Sequence, residues 1–275
     1  MKANALSANL SAEALKNLWG DAVLSMIWHL KSDPRFHYWC YIPEGYYEEK
    51  NRKPYPLIVI VHGTGRDNTE YWAEAKKYAE ANHTALLAPN FPAGLFEPME
   101  LNSYKLLSCD GLRYDNILLS MIDETAERFQ GIETEKFCMF GFSGGGQFTN
   151  RFLFVHPERL KAASIGAPGR PTYLNFEEDY FWGVRDFRKH FDKDIDLEAI
   201  AKVPVEIMVG EQDILYIGDS PYGTTRVERN TRLKDNLESY GVKVQLDILP
   251  GLTHLSGRPQ KMQAALTFFD RYIRS

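Results

Sequence analysis

The fold is decided by the stretch from Lys136 to Phe148, which reads KFCMFGFSGGGQF. Its apolar first half predicts a buried strand that ends near Gly141, and the residues from Gly144 onward predict an amphipathic helix. Between strand and helix stands one serine, in the pattern Gly141-x-Ser143-x-Gly145. A sharp strand-to-helix turn of this kind can hold a serine hydroxyl exposed at the edge of a sheet. A short pattern such as this also arises by chance, so its meaning depends on the rest of the chain.

Predicted strands and helices alternate on both sides of this stretch. Apolar, β-branched runs predict strands at 36–43, 56–61, 84–89, 136–141, 160–166, 203–209 and 243–249. Helical spacing of apolar residues predicts helices at 70–82, 114–129, 144–155, 226–240 and 260–274, and one or two more within 7–30. This alternation predicts an α/β protein with a doubly wound, mostly parallel sheet.

The alternation is interrupted at residues 168–200, which contain Pro168, Pro171 and many aromatic and charged side chains. We expect a single domain over residues 1–275, with a cap or lid at 168–202 inserted into it. Residues 90–112 contain prolines and glycines and are predicted to be irregular.

Polar residues follow four of the predicted strands. Thr64 comes shortly after the strand at 56–61, and Ser143 comes after the strand at 136–141. Asp213 follows the strand at 203–209, and His254 follows the strand at 243–249. Open α/β sheets place ligands at the carboxyl ends of their strands, so these residues are expected at one edge of the sheet.

The chemistry of these residues is complementary. A serine hydroxyl needs a base to take its proton, and His254 is the candidate base for Ser143. Asp213 would accept the other imidazole N–H and fix the ring orientation. The backbone N–H groups of Gly144 and Thr64 would form an oxyanion hole. Other candidates for the acid are Glu211, Asp219 and Asp186.

Three segments carry a resemblance to a known family. They are His62-Gly63-Thr64-Gly65-Arg66, Gly141-Phe142-Ser143-Gly144-Gly145-Gly146 and His156-Pro157-Glu158-Arg159. With them the chain resembles the α/β-hydrolase-fold serine esterases, and among these the polyhydroxybutyrate depolymerase and feruloyl/acetyl-xylan esterase group. The resemblance in fold covers about residues 36–275.

The resemblance and the residue set together predict a serine hydrolase that cleaves carboxylic esters through an acyl-enzyme on Ser143. A peptidase, a thioesterase or an acyltransferase would use the same residues, so these activities remain alternatives. A hydrolase-fold binding protein without catalytic activity is an alternative of another class.

Candidate substrate contacts lie near the same predicted edge, and they are His62, Gly63, Arg66, Phe142, Trp182 and Tyr216. His62 is also interpreted as a buried residue that shapes the oxyanion loop. Five arginines belong to this region, namely Arg66, Arg170, Arg185, Arg226 and Arg229. Most are expected to be solvated or paired, but one or two could hold an acidic group of the substrate.

Composition excludes several other classes of function. The net charge of −5 gives no broad basic face for a nucleic acid. No run of about 18 apolar residues predicts a membrane span. The N-terminus lacks the apolar segment of a signal peptide, and the three cysteines (Cys40, Cys109 and Cys138) are interpreted as reduced thiols, so a cytoplasmic location is expected.

The chain shows no dinucleotide or phosphate-binding loop. Its remaining histidines have no metal-ligand spacing, so neither a cofactor nor a metal is predicted. The expected partner is a small-molecule ester. The oligomeric state is left open, and a dimer is among the possibilities.

Overall fold

The computed structural model describes Ala14, residues 24–48 and residues 53–274. The strands are β1 Ser25–His29, β2 His37–Tyr41, β3 Tyr55–Val61, β4 Ala85–Asn90, β5 Ser108–Cys109, β6 Leu112–Arg113, β7 Ile132–Phe142, β8 Leu160–Gly166, β9 Val205–Gly210 and β10 Val244–Leu249. The α-helices are α1 Thr69–Asn82, α2 Tyr114–Arg128, α3 Gly144–Val155, α4 Phe187–Phe191, α5 Leu197–Ala201, α6 Arg226–Ser239 and α7 Arg258–Phe269.

The main sheet has eight strands in the order β1-β2-β4-β3-β7-β8-β9-β10. The pairs β1/β2 and β2/β4 are antiparallel, and all the other neighbours are parallel. The predicted doubly wound, mostly parallel α/β sheet is therefore confirmed. The parallel strands β3, β7, β8, β9 and β10 all present their carboxyl ends at the same edge.

Apolar clusters cover both faces of this sheet. Leu57, Val59 and Val61 point into the cluster that contains the buried residues of α2, α3 and α6. Ile58 and Ile60 point into the opposite cluster, which contains the buried residues of α1 and α7. Because side chains alternate between the faces of a strand, a strand covered on both faces is apolar throughout.

The expectation of helices within 7–30 is wrong at its C-terminal end. Ser25–His29 forms an edge strand, with Ser25 opposite Tyr41 and His29 opposite His37 in an antiparallel ladder. The spacing of apolar residues there fits a helix, but pairing with β2 satisfies the backbone and overrides that local preference. Apart from Ala14, which is helical, residues 7–23 lie outside the described residues.

The segment predicted to be irregular and the segment predicted to be a cap both contain short regular elements. Residues 90–112 contain a 3₁₀ turn at Ser103–Leu106 and part of the two-stranded ribbon of β5 and β6. The segment 168–202, between β8 and β9, contains the short helices α4 and α5.

Within the ranges that the structure describes, no helix is long and apolar enough to cross a membrane.

Candidate active site

Ser143 occupies the sharp turn between β7 and α3. Its backbone has φ 57° and ψ −110°, a conformation that a non-glycine residue rarely adopts. The Ser143 N–H donates to the carbonyl of Gly166 over 2.7 Å, which ties the turn to the end of β8.

Glycine is required on both sides of this serine. A Cβ on Gly141 would lie 2.2 Å from the carbonyl oxygen of Gly145, and a Cβ on Gly145 would lie 2.2 Å from that of Val61. Both distances are far below contact, so only glycine lets the start of α3 pack this closely against β3 and β7. The spacing of glycines around Ser143 is thus a steric requirement of this turn.

His254 connects Ser143 to Asp213. The Nε2 atom of His254 lies 2.9 Å from Oγ of Ser143, and its Nδ1 lies 2.6 Å from Oδ2 of Asp213. A carboxylate can only accept, so the proton resides on Nδ1 and leaves Nε2 free to accept from the serine hydroxyl. The three residues come from the ends of β7, β9 and β10, and the structure brings them within hydrogen-bond distance of one another.

Asp213 is a buried and fully paired carboxylate. Its Oδ2 accepts from His254, and its Oδ1 accepts from Nη1 of Arg226 over 3.1 Å. Burial raises the pKa of Asp213, but the hydrogen bond and charge of His254, together with Arg226, outweigh it, so the net pKa is lowered. Asp213 therefore stays ionised. The other candidates for the acid, Glu211, Asp219 and Asp186, make no contact with His254.

A buried lysine anchors the loop that carries His254. Nζ of Lys261 donates to the carbonyls of Thr253 and His254 at 3.0 and 2.9 Å. The ammonium also lies 4.1 Å from the centre of the Phe142 ring. Burial lowers the pKa of Lys261 to about 8. Lys261 on α7 therefore holds this loop in place at His254, whose imidazole faces Ser143.

Thr64 and Gly144, the predicted oxyanion donors, lie next to each other. The nitrogen of Thr64 lies 3.0 Å from the position that a Cβ on Gly144 would take, so the two residues are in close contact. Neither N–H has a hydrogen-bond acceptor among the described residues. Gly144 is the first residue of α3, where the helix dipole also favours negative charge. Unpaired donors at this point can bind an oxyanion.

His62 shapes the loop that carries Thr64. Its Nε2 accepts from the N–H of Phe91 over 3.0 Å, and its Nδ1 lies 2.9 Å from the carbonyl of Gly63. Burial lowers the pKa of His62 to about 4, so the ring is neutral. With both nitrogens bound to backbone, His62 is not available as a base or as a polar contact for a substrate.

Arg66 supports the same loop. Its guanidinium donates to the carbonyls of Thr64, Phe91 and Leu101 at 2.6, 3.1 and 3.1 Å. Its cation also lies 4.9 Å from the centre of the Tyr104 ring. These contacts join the segment after β3 to the segment after β4. Arg66 therefore positions the loop, and the candidate substrate contact at this residue is not supported.

Solved structures of similar shape cover most of the chain. Poly(aspartic acid) hydrolase-1 from Sphingomonas sp. KT-1 is 19% identical at a TM-score of 0.70, over 88% of this chain and 96% of that one. A poly(3-hydroxybutyrate) depolymerase from Bordetella parapertussis is 22% identical at a TM-score of 0.68, over 90% of each chain. An S-formylglutathione hydrolase from Agrobacterium tumefaciens is 15% identical at a TM-score of 0.58, over 87% of this chain and 89% of that one.

This chain has the α/β-hydrolase fold. The resemblance inferred from the sequence motifs agrees with these neighbours in fold. The sequence itself matches no protein-family model and no curated protein. At identities this low the neighbours establish the fold alone.

Two cavities meet at Ser143 in this α/β-hydrolase-fold chain. The first, which we call the cationic cavity, has a volume of about 380 Å³. It is lined by Thr64, Asn102, Lys105, Leu106, Ser143, Gln147, Arg151, Gly169, Arg170, Phe181, Ile217 and Arg226. The second, which we call the histidine cavity, has a volume of about 320 Å³. It is lined by Gly63, Thr64, Gly65, Asp67, Tyr71, Phe142, Ser143, His254, Leu255 and Arg258.

Of the remaining candidate substrate contacts, two line a cavity beside Ser143 and two do not. Gly63 and Phe142 line the histidine cavity. Trp182 lines neither cavity, because its ring packs against Tyr222 and under the guanidinium of Arg229. Tyr216 is 66% exposed and also lines neither cavity. The structure therefore does not support Trp182 and Tyr216 as candidate contacts.

Sequence reasoning missed Lys105 and Gln147, which line the cationic cavity. Lys105 lies in a segment read as irregular, and nothing in its neighbours points to a sheet edge. Gln147 could have been found, because it comes one helical turn after Ser143 at the start of α3 and so faces the same side.

Among the described residues, no cluster of three or more His, Cys, Asp or Glu could hold a metal ion.

Proposed function

We propose that this chain is a serine hydrolase that cleaves small carboxylic esters through an acyl-enzyme on Ser143. The observation that carries the proposal is the continuous hydrogen-bond chain from Ser143 through His254 to the buried Asp213, with distances of 2.9 and 2.6 Å. A serine hydroxyl in hydrogen-bond reach of an imidazole that a carboxylate orients is the arrangement that activates a hydroxyl as a nucleophile.

Acylation follows from this geometry. His254 Nε2 takes the proton of Ser143 as Oγ attacks the ester carbonyl, and the carbonyl oxygen becomes an oxyanion. The N–H groups of Thr64 and Gly144 would stabilise that charge. Removal of one such donor lowers kcat by about 10²–10³-fold. The imidazolium, held by Asp213, then gives its proton to the departing alcohol.

Deacylation repeats the same steps with water. His254 takes a proton from water, the hydroxide attacks the acyl carbonyl, and the proton returns to Oγ of Ser143 as the acid leaves. Every proton in the cycle passes through Nε2 of His254. No cofactor is required by this scheme.

The segment 168–202 is proposed to act as a cap over part of the site. Gly169, Arg170 and Phe181 belong to it, and all three line the cationic cavity. Volumes of about 380 and 320 Å³ lie at the lower end of the range for small-molecule sites, which supports small esters as substrates. A peptidase, thioesterase or acyltransferase remains an alternative that uses the same residues.

The test uses 4-nitrophenyl acetate and a fluorophosphonate probe. We expect wild-type turnover and one probe molecule bound per chain, and both should disappear in Ser143→Ala with the circular dichroism spectrum unchanged. His254→Ala should lose at least ~10³-fold in kcat, because these residues act as a unit. Ser239→Ala, which changes an exposed serine on α6, is the matched control and should match the wild type.

Unchanged turnover or labelling in Ser143→Ala would refute the proposal. Absence of labelling in the wild type would instead favour the binding-protein alternative. Matched ester, thioester and amide substrates, compared by kcat/KM, separate the esterase from the other catalytic alternatives.

A further inference from the structure

The cationic cavity concentrates positive charge beside Ser143. Its lining includes Lys105, Arg151, Arg170 and Arg226, and it includes no aspartate or glutamate. The whole chain carries a net charge of −5, so this concentration is local and not a reflection of composition. A cleft lined by one sign of charge raises the local concentration of ligands of the opposite sign.

Arg151 supplies buried charge behind the cavity. It is 1% exposed, and its guanidinium donates to the carbonyls of Lys105 and Arg170 and to the hydroxyl of Thr172, at 2.6, 2.8 and 2.9 Å. All three acceptors are neutral, so no carboxylate compensates this cation. Arg151 also holds the backbone of Lys105 and Arg170 in place, which fixes where their side chains begin.

Lys105 and Arg170 are the cations available to a ligand. Nζ of Lys105 donates to the side-chain oxygen of Asn102 over 2.6 Å, which leaves two of its three donors. The guanidinium of Arg170 is exposed and has no partner among the residues that the structure describes. Arg226 adds a buried Nε without a hydrogen-bond acceptor. Arg226 is paired with Asp213, but the cavity lining as a whole has an excess of cations, and an anionic ligand offsets the cost of that excess.

The position of His254 tells which part of an ester enters this cavity. His254 must reach the leaving oxygen to protonate it, and its side chain lines the histidine cavity and not the cationic cavity. The alcohol part therefore leaves through the histidine cavity. The acyl part then extends from the oxyanion donors into the cationic cavity, where Lys105 and Arg170 lie.

We propose that the preferred acyl group carries a second, free carboxylate, which Lys105 and Arg170 bind. The substrate class is thus a monoester of a dicarboxylic acid. This inference rests on the proposed serine-hydrolase function, because it assumes an acyl-enzyme on Ser143. Arg226 remains a positioning residue through its contact with Asp213.

Three aryl esters test the proposal. Mono(4-nitrophenyl) adipate carries the carboxylate on the acyl side, and its methyl-capped diester is the neutral match. The acetate ester of 4-hydroxybenzoate carries the carboxylate on the alcohol side and is compared with 4-nitrophenyl acetate after correction for leaving-group reactivity. We expect kcat/KM for the adipate monoester to exceed that of its capped match by ~10–100-fold, the scale of hydrogen bonds to charged groups.

Variants locate the source of that preference. Arg170→Gln and Lys105→Gln should each reduce the ratio of the two adipate rates by ~10-fold, and Arg170→Glu should reduce it further. Arg170 is exposed, so its substitution tests the proposal even if Lys105→Gln folds poorly. Arg188→Gln removes another exposed arginine, on α4 and outside both cavities, and should leave the ratio unchanged.

The outcomes are distinguishable. Equal rates for the monoester and its capped match would overturn this inference and leave the proposed hydrolase intact. A preference that persists in Arg170→Gln and Lys105→Gln would also overturn it, as would a preference confined to the 4-hydroxybenzoate ester. Loss of turnover for every ester, with no labelling of Ser143, would overturn the proposed function itself.

Discussion

Partly exposed Arg226 and buried Asp213 form an ion pair, with 3.1 Å between Nη1 of the guanidinium and Oδ1 of the carboxylate. The other carboxylate oxygen accepts from His254. Arg226 is the first residue of α6 and also lines the cationic cavity. The residue that orients Asp213 thus belongs to the same cavity that is proposed to hold the acyl group.

We expect Arg226→Gln to lower kcat by about 10-fold through a less firmly held Asp213, with a smaller change in KM. The loss of a hydrogen bond to a charged group should also cost about 1.5–3 kcal/mol in free energy of unfolding. The pKa of Asp213 is lowered in the folded protein, so its stabilisation is present above the unfolded pKa and is lost as pH falls. In Arg226→Gln the pKa of Asp213 is lowered less, so the loss of stability should begin at a higher pH.

Thermal unfolding between pH 3 and 7, together with steady-state kinetics, checks this prediction. Arg232→Gln is the matched control, because Arg232 is exposed on the same helix and makes no hydrogen bond within the described chain. Equal effects of the two substitutions would show that Arg226 acts only as a helix residue.

The preference for an anionic acyl group should depend on pH through Lys105. Burial lowers the pKa of Lys105 to about 8, with further lowering by Arg66, Arg151 and Arg170 against an opposing effect of Glu100. The ammonium is charged below that pH, so the ratio of kcat/KM for the adipate monoester to its capped match should fall as pH rises through about 8. Both esters use the same catalytic residues, so the ratio cancels any pH dependence that the two reactions share.

Lys105→Arg provides the control, because a guanidinium keeps its charge throughout this range. In that variant the ratio should stay flat between pH 7 and 9. A ratio that falls equally in the wild type and in Lys105→Arg would assign the dependence to another group.

Two glycines near the site should respond differently to alanine. Gly145→Ala places a Cβ 2.2 Å from the carbonyl oxygen of Val61, and backbone on both sides prevents relief. We expect a loss of at least ~3 kcal/mol in free energy of unfolding, or failure to fold. Gly65→Ala meets no atom within 4 Å and should change stability by less than ~0.5 kcal/mol. Urea denaturation of both variants makes the comparison, and equal losses would contradict it.

Glu206 is a buried carboxyl far from the site. Its Oε2 contacts Ser164 Oγ at 2.5 Å, and its Oε1 has no partner in the part of the chain that the structure describes. Burial, together with the neighbouring carboxylate of Asp247, raises the pKa of Glu206 well above its usual value. The folded protein therefore binds a proton that the unfolded chain releases, and stability falls as pH rises above the unfolded pKa.

Glu206→Gln should remove that decline, because an amide has the same shape and no charge. We expect a gain on the order of 1 kcal/mol in free energy of unfolding near pH 8 and little gain near pH 4.5. Urea denaturation at both pH values measures it. A loss of stability at both would mean that the carboxyl is required as an acid.

Much of the fold could be read from local patterns. The apolar run of β3 and the turn around Ser143 depend on neighbouring residues, so their pattern is visible in the sequence. The order of Ser143, Asp213 and His254 also predicted a shared edge, because parallel strands end on the same side. The helix predicted over Ser25–His29 is wrong because this segment pairs with β2 in an antiparallel ladder, and that pairing depends on contacts outside the segment itself.

Local periodicity and steric exclusion were enough to predict the doubly wound α/β sheet, the strained turn at Ser143 and the strand ends that carry Asp213 and His254. The grouping of Lys105, Arg170 and Arg226 around one cavity beside Ser143 is visible only in the folded chain. These residues come from separate loops and a helix start, and their convergence depends on contacts between segments far apart in the chain. The charge of a site depends on which residues converge there, and no local sequence pattern encodes that convergence.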